Sequence, residues 1–369
     1  MSDEDPISQL PQLPNERVSR LRRRERQRKR RTVELFVTIA VVVLGVAYAV
    51  SQTRGGASAG APSATPSAAG HRTPALLVVQ VTGAPKPLMA VVGTRGTPPA
   101  AMGIPQGLTM EIPGAGELTT RRVAALPGPS LQVALSNVVG AWAPHYAITD
   151  LTHLAAMVDR AGGLRLQLPD AVTVDGASFG PGHVKMTGQQ VADFLGAPDA
   201  NTFTRWEVVL AGLLASPPHL VREDLTGTDD LAGVQESLTA ADGAQIETLP
   251  VVVAASTLRV PDYPQLDKLM ARRFRTRTPD PVIVQNGVGT AALGERVGRL
   301  IIPRGFRVML SQNAVSFDQL VTQIEALGED HLAQARRIRA ALGVGRIRVS
   351  QVASGIGDVQ IVVGKDFTA

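Results

Sequence analysis

Between Leu35 and Val50 every residue is apolar or small except Thr38, and no charge interrupts the run. Directly before it stands Arg22-Arg23-Arg24-Glu25-Arg26-Gln27-Arg28-Lys29-Arg30-Arg31. An uncharged run beside a block of arginines is a membrane-crossing pattern, and whatever follows must fold on one side of the bilayer. The run is slightly short for a hydrocarbon core of roughly 30 Å, a deficit that flanking residues cover. The positive-inside rule holds the arginines in the cytoplasm and sends the C-terminus across the membrane. The expectation is a basic cytoplasmic tail at 1–32 and a single-pass cell-membrane anchor at 33–51. A cleavable signal peptide competes, because Ala47-Tyr48-Ala49 has the small-x-small form of a cleavage site. Residues 52–73 are mostly Ser, Ala, Gly, Pro and Thr, too poor in apolar surface to offset their ordering entropy, and read as a flexible linker.

Charge and cysteine then exclude whole classes. The formal net charge of +5 lies entirely in the first 32 residues, which hold ten Lys and Arg against five Asp and Glu. Beyond them the chain is neutral, with 27 of each sign, so nucleic acid is not an expected partner. The absence of cysteine removes disulfides, thiol nucleophiles and thiolate metal sites.

After the linker the pattern is α/β. Leu76–Val81 and Leu88–Val92 are short apolar runs bounded by Gly and Pro, as buried strands are. Leu131–Val139 and Leu151–Arg160 have helical spacing, the second with Asp150 as N-cap and Gly162 near its stop. Leu164–Leu168 alternates as a strand, while Gln189–Leu195, Arg205–Leu214 and Pro264–Arg273 are further helices. This irregular alternation predicts a mixed-sheet α/β sandwich over 74–271. Gly176-Ala177-Ser178-Phe179-Gly180 imitates a nucleophile elbow, but Pro181-Gly182 follows where a helix is required, so a surface turn is expected. No histidine spacing matches a metal site, Asp150 with His153 reads as a cap beside a surface histidine, and Trp142 and Trp206 read as core rather than as a sugar platform.

Gly103-Ile104-Pro105-Gln106-Gly107, then His145–Asp150 with Val158–Leu164, then Leu-Thr-Gly-like Met186-Thr187-Gly188-Gln189-Gln190, resemble in order the motifs of the LytR–CpsA–Psr (LCP) family. The resemblance implies membrane-anchored phosphotransferases that move polyprenyl-pyrophosphate-linked glycopolymers onto peptidoglycan, using arginines for pyrophosphate and carboxylates for Mg²⁺. This chain departs at those positions. The arginine and aspartate after Ile-Pro fall on Gln106 and Gly107, the later arginines on Gly196, Pro198 and Thr202. Asp199, Arg205 and Arg122 are the remaining candidates for binding a lipid phosphate. Each lost charge-assisted hydrogen bond is worth roughly 1.5–3 kcal/mol, so the domain is expected to be a non-catalytic relative without a cofactor. The resemblance also implies an apolar prenyl tunnel, with Leu76–Val81, Leu131–Val139 and Val208–Leu210 as its expected walls.

Residues 272–280 form a basic connector to a small α/β domain at 281–369. Within it Val282–Gln285 is a strand, Asn286–Gly289 a turn, and Leu293, Val297, Leu300 and Ile301 one face of a helix. Phe306–Leu310 and Gln319–Leu327 are strands, Asp330–Leu342 a helix stopped by Gly343, and Val359–Val363 the last strand. Gly287-x-Gly289-x-x-Ala292 imitates a dinucleotide fingerprint, but the next strand ends Ser311-Gln312-Asn313 with no acid for a ribose. The Val-x-Asn-Gly-x-Gly-x-Ala-x-Leu run and the terminal Val362-Val363-Gly364-Lys365-Asp366 segment resemble the LytR C-terminal domain of actinobacterial envelope proteins. Backbone N–H groups at Asn286, Gly287 and Gly289 are candidates for an anion. The combined expectation is an extracytoplasmic envelope protein that binds polyprenyl-phosphate lipid, cell-wall glycopolymer or LCP proteins. The alternatives are an active Mg²⁺-dependent ligase built on Asp199, Arg205 and Arg122, and a transcriptional attenuator.

Overall fold

The computed structural model describes residues 76–368 except 175, 255–257 and 353, so the tail, the apolar run and the linker lie outside the described residues. Among the described residues no helix is long and apolar enough to cross a membrane. In chain order the first lobe has strands β1 (Leu76–Thr82), β2 (Leu88–Gly93), β3 (Ala100–Gly103), β4 (Thr109–Ile112), β5 (Gly116–Thr119) and β6 (His145–Asp150). Then follow β7 (Leu164–Leu168), β8 (Val172–Val174), β9 (Ala177–Phe179), β10 (Gly182–Met186), β11 (Gly227–Thr228), β12 (Gln245–Thr248), β13 (Val251–Ala254) and β14 (Leu258–Pro261). The main sheet runs β11-β6-β1-β2-β3-β12. β1 is antiparallel to β2 and parallel to β6, and β12 is parallel to β3, which is the mixed order expected.

β1 is apolar from Leu76 to Val79 and again at Val81 because both its faces are covered, and the one buried polar side chain, Gln80, donates to the Ala124 carbonyl at 2.6 Å. Leu77 and Val81 pack under helices Leu151–Arg160, Gly188–Gly196 and Thr202–Ala215. Leu76 and Val78 meet helices Gly128–Val139 and Tyr263–Arg273 on the other side. Local signals fix the helix ends. Asp150 accepts the His153 N–H at 2.9 Å, while Thr187 and Gln190 form a reciprocal capping box. Gly188 lies so close to the neighbouring helix that a Cβ there would sit 1.9 Å from the Ala155 carbonyl oxygen. Ser178 sits in the small β8–β9 hairpin at 3.3 Å from the Thr173 hydroxyl, with no helix behind it. The elbow geometry is absent there.

The second lobe is a five-stranded sheet flanked by helices Leu293–Ile301 and Leu332–Leu342. Its strands are β15 (Asp280–Asn286), β16 (Phe306–Asn313), β17 (Gln323–Leu327), β18 (Arg346–Ser350) and β19 (Val359–Val363), in the order β16-β15-β19-β17-β18. The expected strand at Gln319–Leu327 begins only at Gln323, because Gln319 N–H is held by the Gly287 carbonyl in a covering loop.

The lobes meet along β16, an edge of that sheet. Fully buried Asn137 accepts the Val308 N–H at 2.8 Å and donates to the Val308 carbonyl at 2.9 Å, so its amide pairs with β16 as a neighbouring strand would. Arg307, 3% exposed, makes a two-pronged contact with Asp267 at 2.7 and 3.2 Å and lies 4.6 Å from the Tyr263 ring centroid. Ser311 donates its N–H to Glu111 at 2.6 Å, and its hydroxyl accepts the Gly114 N–H at 2.8 Å. Gly140 ends helix Gly128–Val139 at φ 71°, and a Cβ there would strike Arg307 and Pro279. Both the turn and the close approach require glycine.

Candidate functional site

Two of the residues expected to contact a lipid phosphate, Asp199 and Arg205, lie together, and each is already engaged. Arg205 opens helix Thr202–Ala215. It pairs with Asp199 at 2.5 Å, donates to the Phe194 carbonyl at 3.2 Å and stacks on the Phe194 ring. Asp199 also accepts the Asn201 N–H at 2.9 Å, and its carbonyl takes the Lys86 ammonium at 2.8 Å. Thr202, where a clamp arginine is absent, is fully buried and bonds the Asp199 and Ala197 carbonyls at 3.0 and 3.3 Å. This cluster staples one helix end to the next helix start. An anion would have to displace Asp199 to reach the guanidinium, and an already satisfied arginine offers little binding free energy.

Arg122 is not part of that cluster. It is exposed on the short helix Thr120–Val123, whose Val123 belongs to the core on the opposite face of the sheet from Trp206. Gly107 turns at φ 72° with open space around it, and Gln106 keeps a buried Nε2 without a partner. A neighbour that the sequence did not flag is Glu207, the single acid between Arg205 and Arg222. Burial raises its pKa, opposed by the Thr248 hydroxyl, which donates to it at 2.5 Å. Glu207 and the engaged Asp199 do not make a site for Mg²⁺, and no group of three His, Asp or Glu side chains converges anywhere among the described residues.

The expected prenyl tunnel needs a correction. Helix Gly128–Val139 packs on one face of the sheet and Val209 with Leu210 on the other, so these segments do not line a common channel. Apolar periodicity indicates burial for both but not which face each covers. Behind Val209 and Leu210 remains a cavity of about 50 Å³, bounded by Val81, Leu154, Trp206, Leu214 and Leu238. A single benzene occupies a cavity of roughly 150 Å³, so a long isoprenoid does not enter without repacking.

In the second lobe the Asn286–Gly289 turn is also self-satisfied. Asn286 Oδ1 accepts the Val288 and Gly289 N–H groups at 3.1 and 2.9 Å, and Gly287 N–H bonds the Val363 carbonyl at 3.1 Å. The helix behind the fingerprint-like glycines is plugged by the other lobe. A Cβ on Gly114 would lie 2.6 Å from the Glu295 N, and one on Gly294 would lie 2.6 Å from the Gly114 N. Beside this contact lies a cavity of about 190 Å³ lined by Asn286, Gly294, Ser311 and Asn313, none of them an acid that could hold a ribose.

Residues 281–367 match the family described as LytR cell envelope-related transcriptional attenuator, so the C-terminal lobe is a LytR_C domain over the stretch whose motifs resembled it. No curated protein matches the chain. Among solved structures, Bacillus subtilis TagV is similar at 11% identity and a TM-score of 0.46, covering 56% of this chain and 99% of TagV. B. subtilis TagU follows at 14% and 0.43, with 54% and 94% covered. A LytR-Csp2A-Psr enzyme from Actinomyces oris follows at 17% and 0.41, with 55% and 90% covered. At these values the likeness carries no inference about chemistry.

Proposed function

We propose that the chain is a membrane-anchored, extracytoplasmic envelope protein that binds a component of cell-wall assembly without catalysing its transfer. The component is a wall glycopolymer or a ligase that handles one. The envelope assignment rests on the arginine block before an uncharged run and on the cell envelope-related C-terminal domain. One observation carries the non-catalytic part: Arg205, the best preserved of the expected clamp residues, is bound to Asp199 and to the Phe194 carbonyl. Phosphoryl transfer depends on free positive charge aimed at phosphoryl oxygens, and this cluster offers none that is aimed. The 50 Å³ cavity favours polymer or protein over an isoprenoid as the bound component.

The purified full chain, given a polyprenyl-pyrophosphate-linked glycan with Mg²⁺ or Mn²⁺, is expected to release no phosphate and transfer no glycan. Turnover comparable to that of an active ligase, and abolished by Arg205→Ala, sinks the proposal. Protease added to intact protoplasts is expected to digest the folded lobes and spare the basic tail.

A further inference from the structure

Between the lobes, away from the cluster around Arg205, lies a cleft of about 780 Å³. Its size is in the upper part of the range of ligand sites, roughly 300–1,000 Å³, and far exceeds an inorganic anion. Its lining is cationic. Arg95 comes from the β2–β3 loop, Arg275 and Arg277 from the connector, and Arg304 and Arg337 from the second lobe, against Asp280 and Asp330. Asp280 neutralises Arg337 at 2.7 Å. Arg304 donates to the Leu300 carbonyl at 2.6 Å, which leaves its charge uncompensated. Arg95, Arg275 and Arg277 are exposed, and no carboxylate pairs with them among the described residues.

The connector is held in place to present these charges. Fully buried Phe274 fixes its start; a Cβ on Gly93 would lie 2.4 Å from that ring. Buried Pro279 fixes its end beside Gly140. Arg275 has φ 56°, a left-handed conformation that an arginine adopts only where its surroundings enforce it, and such strain collects at functional sites. Two uncharged features complete the wall. Trp142 is half-buried along it, and Gln334 holds an Oε1 that is shut from solvent and has no hydrogen-bond partner.

We propose that this cleft binds an anionic polysaccharide: arginines take its carboxylate or phosphodiester groups and Trp142 takes a sugar face. The inference rests on the glycopolymer reading above and gives it a site. Planar guanidiniums suit both anions, and several along one cleft suit an occupant whose charge repeats. A nucleic acid fits less well. The chain beyond the tail is neutral overall, and the cleft offers one aromatic ring rather than a stacking series.

The chain has two tryptophans; Trp206 is sealed in the core, so a change of emission on ligand addition reports Trp142 in the cleft. Polygalacturonate and a phosphomannan are titrated into the full chain, with dextran as the neutral polymer and oligo-dT as the nucleic-acid polyanion. Saturable binding of at least one anionic polysaccharide is expected, with none of dextran. The variant Arg95→Gln/Arg275→Gly/Arg277→Gln removes unpaired surface charge and gives position 275 the residue its backbone favours. It should bind at least about tenfold more weakly, as expected for the loss of several charge-assisted contacts. The charge-matched variant Arg165→Gln/Arg222→Gln/Arg339→Gln, exposed and outside the cleft, should bind like wild type. Unchanged affinity in the cleft variant overturns the site while leaving the glycopolymer reading in place. Oligo-dT binding as tightly as the polysaccharides overturns the sugar assignment. No binding by wild type removes both and leaves a protein partner.

Discussion

Replacing Asn137 by Ala tests whether the two lobes are one folded unit or two that merely touch. The side chain is fully buried and satisfies both the N–H and the C=O of Val308, at 2.8 and 2.9 Å, and reaches the Glu111 carbonyl at 3.2 Å. Alanine leaves the Val308 pair unsatisfied, and each unpaired buried group costs about 1–3 kcal/mol. The expected loss is about 3 kcal/mol, which for a unit of this size lowers the thermal midpoint by roughly 6 °C. Both tryptophans lie in the first lobe, so fluorescence follows that lobe while far-ultraviolet circular dichroism follows both. In wild type the two transitions should coincide. In the variant the midpoint should fall, and the dichroism transition should broaden as the second lobe melts separately. A loss below about 1 kcal/mol with coincident transitions refutes the argument, because it requires water to replace the amide at a fully buried position.

Two further outcomes follow from the same packing. Burial raises the pKa of Glu111 to about 7, opposed by the Ser311 N–H and assisted by Glu117. The folded state therefore holds a proton that the unfolded chain has lost, so the contribution is full below about pH 4.5 and is lost as pH rises through 7. Denaturant titrations from pH 5 to 8 should show a fall on the order of 2 kcal/mol, discounted for the partly exposed carboxyl, that Glu111→Gln removes; an unaltered slope in the variant refutes this. Gly188→Ala drives a methyl group into the Ala155 carbonyl and should cost about 2–3 kcal/mol by overpacking; a neutral result in the same titration means the helices separate freely.

Where the signal is local, the sequence reports the structure well. Helix Leu151–Arg160 is legible because Asp150, the apolar stripe and Gly162 lie close together in the chain, and β1 because a strand covered on both faces opens on an unbroken apolar run, Leu76–Val79. β18 is not legible, since Arg346 and Arg348 alternate with Ile347 and Val349 on a strand buried on neither face. The seam is invisible for another reason. Asn137 and Arg307 look like surface residues, and their burial depends on partners about 170 and 40 positions away. The expected phosphate site shows a similar limit. Alignment of motifs identifies Asp199 and Arg205, but only coordinates reveal that they bind each other and that Arg122 belongs to the opposite face.

The way the two large sheets end has a consequence for crowding. A sheet is a template with two growing ends, each able to recruit a strand from another copy. The C-terminal sheet has one end occupied by the Asn137 amide from its own chain, while the other carries exposed Arg346 and Arg348, whose charges repel an identical strand. The main sheet ends in β11 and β12, two and four residues long, too short to seed anything. Copies packed side by side thus meet no long uncovered edge on either of these two large sheets. Disrupting the seam reopens a template eight residues long, so the first symptom of a damaged joint should be fibre-like association of the chain rather than simple unfolding.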